Sequence, residues 1–405
     1  MNKIAAVDVR FLLLAAMLVF LPGVEALKNI FAFLFVLSWV LISKKNNNWG
    51  GKWIIIDSIF FLWILADIFV SINAVITHQL SGSNFRDIIR FVLIAWVLSR
   101  IYFPKEKLRE LALISVIATL ITLSYSYYST GGILKELHSV GHINHTAIFL
   151  AIAYSISLSL LLFDFHNLKK YQKIILLLST IVLFSATIDA GSRASFGLIL
   201  IITLIDFIYL LIKHRKLLTF FLLFGLVSCI GAFFIYNPPN ALERILAKNH
   251  ILQDDVRDRI RNFSYYAFKT NPLLGIGFGN YGHLKIEDIK VQIIKDKGVL
   301  NASEYKPGSH PHNVYYTYLV SGGLLIFSIF LWFWFYIVWI IFKLISTKKN
   351  DWIILSSISV LLINLGIGWV NTTLHHEHAI LSMVVLGMLI SEYRRAEHRR
   401  SLHVP

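Results

Sequence analysis

The chain carries little charge for its length. Only 15% of its 405 residues are Asp, Glu, Lys or Arg, whereas 57% are hydrophobic, and the mean hydropathy is +0.67. A typical soluble domain has about 25% charged residues, so this composition excludes a soluble enzyme of this size. The sequence therefore predicts an all-α integral membrane protein that crosses the bilayer many times.

Cysteine and acidic residues are also scarce. The one cysteine, Cys229, lies in an apolar run, so it forms no intramolecular disulfide and no cysteine-based metal cluster. The 38 Lys and Arg residues outnumber the 23 Asp and Glu residues, which gives a net charge of +15. A nucleic-acid-binding protein would gather its basic residues in one domain. Here they lie in short connections between apolar runs, so membrane topology explains them better.

Apolar runs define the expected membrane helices. A spanning helix needs roughly 20 mostly apolar residues, and the sequence offers about twelve such segments. Positive charges such as Lys44, Lys169 and Arg394 lie in alternate connections, and the positive-inside rule places these in the cytoplasm together with both termini. The first helix is expected to stay uncleaved. The segments are centred in 10–26, 28–43, 53–75, 87–103, 109–128, 146–164, 173–190, 195–213, 217–236, 314–343, 351–370 and 377–392.

The longest connection, 237–313, is predicted to be a large periplasmic loop. It divides the chain into helices 1–9 (1–236), the loop itself with amphipathic helices, and helices 10–12 with a cytoplasmic tail (314–405). Within the loop, 254–270 is a candidate helix, because Val256, Ile260, Phe263 and Ala267 recur at helical spacing and form an apolar stripe.

Arginines on the outward side are candidates for anion binding. Arg193 lies at the outward end of two helices joined by almost no loop, where a cation is costly unless it meets an anion or water. Arg257, Arg259 and Arg261 alternate along the loop helix and cannot all point the same way. The planar fork of arginine suits a diphosphate. Solvated surface charge, balanced by neighbouring aspartates, is the alternative for any one of the loop arginines.

Two histidines close the loop just before the next apolar run, in His310-Pro311-His312-Asn313. A neutral imidazole near pH 7 can take a proton from a sugar hydroxyl, and Asn313 could orient the ring. A metal site is disfavoured because this pair lacks the carboxylate or cysteine partners that usually complete one. In the alternative interpretation the segment is an interfacial loop. Tyr315, Tyr316 and Tyr318 are themselves expected to form an aromatic belt and not to belong to the site.

Other polar residues are predicted to line the cavity or to have structural roles. The run 371–378, which contains three histidines, is predicted to be a polar cap lining the same cavity, since contiguous ligands rarely converge on one zinc ion. Arg90 shares a helix face with Arg86 where a helix enters from outside. Asp67 and Asp206 lie inside helices and are expected to make structural hydrogen bonds.

A glycine-rich stretch, Gly275-Ile276-Gly277-Phe278-Gly279, does not indicate a nucleotide site. It has no strand before it and matches no Rossmann or P-loop pattern. Glycine at these positions instead predicts a tight backbone turn beside the membrane.

In this order and on this topology, these residues resemble the O-antigen ligase and polymerase superfamily, integral-membrane glycosyltransferases that use undecaprenyl-diphosphate-linked glycans. The family's arginine at the outer end of a mid-chain helix pair matches Arg193. Its loop pattern, an arginine, a short helix and a Pro-Leu-x-Gly-x-Gly turn, matches Arg257 through Gly277, with Arg259 as the alternative arginine. Its histidine-asparagine pair matches His312-Asn313. Asn371 stands where some members carry an acidic residue.

The resemblance implies a GT-C-like membrane glycosyltransferase in the bacterial inner membrane, with its active site facing the periplasm. A ligase fits better than a polymerase: it would transfer the glycan to a lipid A-core acceptor by an inverting reaction that needs no metal, nucleotide or other cofactor. His312 would be the catalytic base, and Arg193 with Arg257 or Arg259 would hold the donor diphosphate. His310, Asn313 and Arg90 would assist. A polyprenyl-glycan transporter is the competing class, but the two related halves it would show are not visible.

Overall fold

The computed structural model describes residues 8–78, 85–132, 134, 136–214, 251–346 and 351–402. Within these residues the chain forms α-helices, short 3-10 turns and no strand, which confirms the all-helical prediction. The predicted helix 217–236 and the first part of the loop, 237–250, lie outside the described residues. The helices are α1 (Val9–Phe20), α2 (Glu25–Asn46), α3 (Ile55–His78), α4 (Phe85–Ser99), α5 (Lys105–Ser129), α6 (Ile143–Phe163), α7 (Lys170–Asp189), α8 (Arg193–His214), α9 (Ile251–Thr270), α10 (Ile286–Lys297), α11 (Val314–Ile345), α12 (Asp351–Gly366) and α13 (His376–Leu402).

Eight of the described helices are long and apolar enough to cross a membrane: α2, α3, α5, α6, α7, α8, α11 and α12. Three other predicted spans correspond to shorter or more polar helices. α1 and α4 have 12 and 15 residues, fewer than the roughly 20 that a perpendicular span needs. α13 has 27 residues but is polar at both ends. The structure therefore establishes a multi-pass membrane protein with eight candidate spans in its described part.

Helix α6 is the most enclosed span of the bundle. It is buried along most of its length and packs against α5, α7, α8, α12 and α13. Hydroxyl side chains on its surface form hydrogen bonds with neighbouring helices: Ser157 Oγ and Thr180 Oγ1 are 2.9 Å apart, and Ser159 Oγ donates to Asp206 Oδ2 (3.2 Å). The expectation that Asp206 makes a structural hydrogen bond is confirmed.

A buried charge cluster ties α13 to the first helices at the end of the bundle away from the loop. Asp57 Oδ1 accepts hydrogen bonds from Arg100 Nη1 (2.6 Å), Arg394 Nη2 (2.5 Å) and Trp96 Nε1 (2.7 Å). Arg394 is only 5% exposed, and α13 continues to Leu402. The segment predicted to be a cytoplasmic tail thus begins as part of a helix that is anchored to the bundle.

The loop has a small hydrophobic core of its own. The predicted helix 254–270 is confirmed as part of α9, and Phe263 and Ala267 from its apolar stripe are fully buried. They pack with Ile289 and Ile293 of α10 and with Val320 of α11. The stripe therefore holds the loop together and fastens it to α11.

The glycine turn of the loop is inserted into a break in α11. At Gly323 the backbone leaves the helical conformation (φ 60°, ψ −167°). The amides of Leu324 and Leu325, which would normally bond within the helix, donate to the carbonyls of Pro272 (2.8 Å) and Leu273 (3.2 Å). The carbonyls freed by the break, those of Val320 and Ser321, accept from the amides of Ile276 (3.0 Å) and Gly277 (2.8 Å). The four groups that the break exposes are thus all satisfied by the turn.

Gly275 has no room for a side chain. Its φ is +67°, and an added Cβ would lie 2.5 Å from the carbonyl carbon and oxygen of Ser321. We expect Gly275→Ala to lower the thermal unfolding midpoint in detergent strongly, since it adds a clash to a conformational cost of about 1–3 kcal/mol. Gly298→Ala is the matched control, because Gly298 has φ +76° but nothing within 4 Å of an added Cβ. Equal midpoints for the two variants would contradict the packing described for the turn.

Candidate functional site

A cavity of about 200 Å³ lies where the end of the loop meets α4, α6, α11 and the run before α13. Loop residues Phe278 to Tyr281 and Ser309 to Pro311 form one side, and residues 372–376 form another. The prediction that the run 371–378 lines the same cavity as the loop histidines is confirmed for His375 and His376. The complete lining is Asp87, Ile88, Phe91, His145, Phe278, Gly279, Tyr281, Ser309, His310, Pro311, Thr317, Tyr318, Ser321, Thr372, Leu374, His375 and His376.

Histidines from three separate segments cluster around this cavity. The rings of His310 and His312 have centroids 4.0 Å apart, and His145 lies 6.3 Å from His310. His145 also lies 5.3 Å from His376 and stacks on His378 at 5.2 Å. Sequence reasoning expected the run 371–378 and the loop histidines at one cavity; the fold adds His145 of α6 to this cluster.

Burial keeps the loop histidines neutral. Burial, together with the nearby charges of His310 and Arg257, lowers the pKa of His312 to about 4. Burial also lowers the pKa of His310 and takes the pKa of His375 well below its ordinary value. At neutral pH His312 therefore has a nitrogen lone pair available to accept a proton.

These lowered pKa values predict a loss of stability in acid. In the unfolded chain a histidine takes up its proton near pH 6.5, whereas folded His312 does so only near pH 4. The unfolded state then binds more protons within that interval, so stability is complete above about pH 6.5 and falls as the pH drops towards 4. Thermal unfolding in detergent from pH 7.5 to 4.5 should show this fall. His312→Gln should flatten it, and an unchanged slope would contradict the stated cause.

The three arginines of the loop helix have different neighbours. Arg257 is exposed and acts electrostatically on His312, and Arg261, four residues later on the same helix face, acts on Tyr316. Arg261 also pairs with Asp258 at 3.0 Å. Arg259 is partly buried, and its backbone carbonyl accepts a hydrogen bond from the amide of Lys306 (3.2 Å). Arg257 is thus the loop arginine whose charge reaches the histidine pair.

Arg193 begins α8 at the same end of the bundle. Its side chain is exposed and has no hydrogen-bond or ion-pair partner in the described part of the chain. One turn further along α8, Leu198 packs against Gly366, just before the 3-10 turn Ile367–Trp369. Asn313 Nδ2 donates to the carbonyl of Trp369 (2.9 Å), which connects this region to the loop histidines.

Asn313 fixes the backbone beside His312 instead of touching its ring. Its Oδ1 accepts from the amide of Tyr316 (3.0 Å) and caps α11, while its Nδ2 is used by Trp369. Both polar groups of the side chain are therefore engaged away from the imidazole. Asn313 was expected to orient the ring of His312. In the structure it instead fixes the backbone that carries this ring.

The backbone at the site is strained. His312, Leu374 and His376 have φ values of 51°, 52° and 51°, in the left-handed region that non-glycine residues seldom adopt. Each costs of order 1–3 kcal/mol and persists only where the surrounding structure enforces it. All three flank the two histidine segments that meet at the cavity, which is the distribution expected of a functional site.

A buried ion pair behind the cavity was not anticipated. Lys28 of α2 and Glu377 of α13 are both almost fully buried and pair with each other. Lys28 Nζ also donates to Ser139 Oγ (3.1 Å), and Ser139 Oγ donates to Glu377 Oε1 (3.2 Å). Glu377, not Asn371, is thus the buried polar group with acidic character at the start of the last helix. The sequence signal was a lysine at the outward end of an apolar helix.

Three further polar residues adjoin the cavity. Arg90 Nη2 donates to Asp87 Oδ1 (2.7 Å), so a lining carboxylate is paired with the predicted secondary residue. Tyr318 is 1% exposed and lines the cavity, so its assignment to an aromatic belt was wrong. Asp67 is fully buried, but neither of its oxygens has a hydrogen-bond partner in the described residues, unlike the structural bond that was expected.

Among the described residues, no group of three or more His, Cys, Asp or Glu side chains is arranged to hold a metal ion. Several ring nitrogens, including His145 Nδ1 and His375 Nδ1, face the cluster without a hydrogen-bond partner. The arrangement offers neutral bases and nearby guanidinium groups, and these can move a proton and bind an anion.

Fold and site together define a multi-pass membrane protein with histidines and arginines at one end of its bundle. The family model described as O-Antigen ligase matches residues 174–331, from α7 through the loop to the first half of α11. This match supports an O-antigen ligase family assignment and confirms the resemblance drawn from the motifs. The matched residues include Arg193, Arg257 and His312. No curated protein is similar enough to be matched with the chain.

Proposed function

We propose that this protein is an O-antigen ligase, which transfers a glycan from undecaprenyl diphosphate to a lipid A-core acceptor. The observation that carries the proposal is the position of neutral His312 between the charge of Arg257 and the cavity lined by His310. A base, an anion-binding cation and a pocket for a second substrate are the three parts that such a transfer needs. The family match supports a glycosyltransferase of the ligase and polymerase group.

The reaction follows from these parts. His312 takes the proton from an acceptor hydroxyl, whose oxygen attacks the anomeric carbon of the donor sugar. The bond from that carbon to the diphosphate oxygen breaks on the opposite face, so the configuration inverts. Undecaprenyl diphosphate leaves with the bonding electron pair, and arginine guanidinium groups stabilise its growing charge. Because the donor already carries its leaving group, neither a nucleotide nor a metal ion is required.

Arg193 and Arg257 are the proposed clamp on the leaving diphosphate. Both are exposed at the loop end of the bundle, and Arg257 lies close enough to His312 to influence its ring. Arg259 is the weaker candidate, because its side chain is partly buried beside the loop segment that carries Lys306. His310 and Arg90 assist by shaping the cavity, and Asn313 holds the backbone at His312.

The proposed topology has about twelve crossings in a GT-C-like arrangement in the bacterial inner membrane. It adds α1, α4, α13 and 217–236 to the eight candidate spans, and it puts the loop and the site in the periplasm and both termini in the cytoplasm. Cysteine introduced at exposed Asn301 should react with a membrane-impermeant reagent in spheroplasts, whereas cysteine at exposed Asn46 should react only after permeabilisation. The reverse pattern would exclude a periplasmic reaction.

Deletion of the gene separates a ligase from a polymerase. In the parent organism, loss of a ligase should leave the lipid A-core uncapped while full-length glycan accumulates on undecaprenyl diphosphate. Loss of a polymerase would instead leave cores that carry a single repeat unit. Gel analysis of lipopolysaccharide together with mass spectrometry of the lipid-linked pool distinguishes the two, and single-unit caps would refute the ligase assignment.

A further inference from the structure

At Tyr318, which lines the cavity, and behind it lie buried polar groups that nothing in the described residues satisfies. The Tyr318 hydroxyl, both Asp67 oxygens and Trp63 Nε1 are buried and have no hydrogen-bond partner there. Buried polar groups in folded proteins are almost always hydrogen-bonded to protein, water or ligand. Three such side chains close together therefore indicate that something polar occupies the space near them.

One face of α3 brings these groups together. Trp63, Asp67, Val70 and Ala74 follow one another at three- and four-residue spacing, and Trp63, Asp67 and Val70 are fully buried on it. At one end of this stretch the Trp63 ring lies 6.0 Å from the Tyr318 ring, and at the other the Ala74 side chain leaves no space for a Cβ at Gly277. Asp67 lies between these contacts and acts electrostatically on Tyr318. Tyr318 in turn lines the cavity.

The rest of the lining is suited to a sugar ring. Phe91, Phe278 and Tyr318 offer apolar surfaces for the C–H faces of a pyranose, and Thr317 and Thr372 add hydroxyl groups at its edge. A volume of about 200 Å³ is below the roughly 300–1,000 Å³ of pockets for drug-sized ligands, so the cavity has room for one ring, not a chain.

Charge indicates which substrate supplies that ring. Within the described residues, no Lys or Arg lines the cavity, and the one lining carboxylate, Asp87, is already paired with Arg90, so the lining offers no cation to bind a phosphate. The proposed diphosphate clamp lies instead on the Arg257 side of His312. An uncharged sugar that approaches from the His310 side would present its hydroxyl to His312 opposite the donor.

We propose that this cavity is a subsite for one uncharged sugar residue of the acceptor, and that Tyr318, with Asp67 buried behind it, binds one of its hydroxyl groups away from the reacting one. The inference rests on the proposed function, because it assigns the second substrate of that reaction. Asp67 and Tyr318 are positioning residues in this assignment: they hold the ring so that a different hydroxyl faces His312.

Kinetics of the purified protein in liposomes test the subsite. Tyr318→Phe removes only the hydroxyl, and Asp67→Asn keeps the side-chain shape. We expect Tyr318→Phe to raise the KM for rough lipopolysaccharide up to about tenfold, and Asp67→Asn, which acts through Tyr318, to raise it by no more than Tyr318→Phe does. The KM for the lipid-linked donor should stay at the wild-type value. Asp206→Asn is the matched control, since Asp206 is an equally buried carboxyl that lies away from Tyr318, beside Ser159 of α6.

Acceptors that lack single hydroxyl groups on the terminal sugar sharpen the test. One of them should be a poorer substrate for the wild type, and Tyr318→Phe should no longer discriminate against it. If the donor KM rises instead, the sugar in the cavity belongs to the donor and the inference is wrong. It is also wrong if both variants match Asp206→Asn, in which case ordered water alone fills the space. Neither result would affect the role of His312, whose loss is measured separately as failure of transfer.

Discussion

Replacing Arg193 or Arg257 with alanine is expected to lower the transfer rate about 10²- to 10³-fold, the usual cost of losing one group that stabilises transition-state charge. Both guanidinium groups are exposed at the loop end of the bundle, and the charge of Arg257 reaches His312. Turnover of lipid-linked glycan by purified variants in liposomes measures the loss. Because the interaction strengthens as the bond to the diphosphate breaks, kcat should fall more than donor affinity.

Two variants serve as controls for the clamp. Arg259→Ala should retain most of the activity, since that side chain is partly buried beside the loop. Arg193→Lys should recover little, because lysine keeps the charge but lacks the planar fork that binds two phosphate oxygens. Wild-type activity in Arg193→Ala, or a larger loss in Arg259→Ala than in Arg257→Ala, would remove the corresponding arginine from the clamp.

His312→Ala is expected to lower kcat by about 10²- to 10⁴-fold, the contribution typical of a positioned general base. Donor binding should persist, since the base acts on the acceptor proton in the transition state. His310→Ala should keep more activity, because His310 lines the cavity without direct contact with the clamp. The wild-type rate should be constant between pH 6 and 8, because the pKa of His312 is about 4.

A second variant of His312 tests whether this residue acts as a proton acceptor. His312→Gln keeps a polar side chain but cannot serve as a base near neutral pH, so it should be as inactive as His312→Ala while unfolding at a temperature close to that of the wild type. Normal turnover by either variant across pH 6 to 8 would refute the general-base role. The arginine clamp would then have to account for catalysis alone.

Local patterns predicted the elements that hold the site but not its interior. Helical spacing located 254–270, and glycines located the turn at Gly275, because both features depend on nearby residues. The orientation of Arg257 towards His312 follows only from how α9 packs on α11. Because the arginines alternate along the helix, the sequence alone did not show which of them faces His312.

Long-range contacts account for what the sequence did not reveal. In the sequence, Tyr318 is an amphipathic residue near the start of an apolar helix, as belt residues are. Only the packing of Trp63 and Phe278 around its ring places it at the cavity. Lys28 and Glu377 are separated by most of the chain, so their pairing has no local signature. The same holds for the meeting of His145 with His310 and His376, which requires three segments to converge.

Reconstituted transfer tests the central claim most directly. Purified wild-type protein in liposomes, supplied with lipid-linked glycan, rough lipopolysaccharide and EDTA, should produce glycan-capped lipopolysaccharide. Nuclear magnetic resonance of the new linkage should show inversion at the anomeric carbon. Retention of configuration, elongation of the donor without capping, or activity that EDTA abolishes and zinc restores would contradict an inverting transfer by His312 and the arginine clamp.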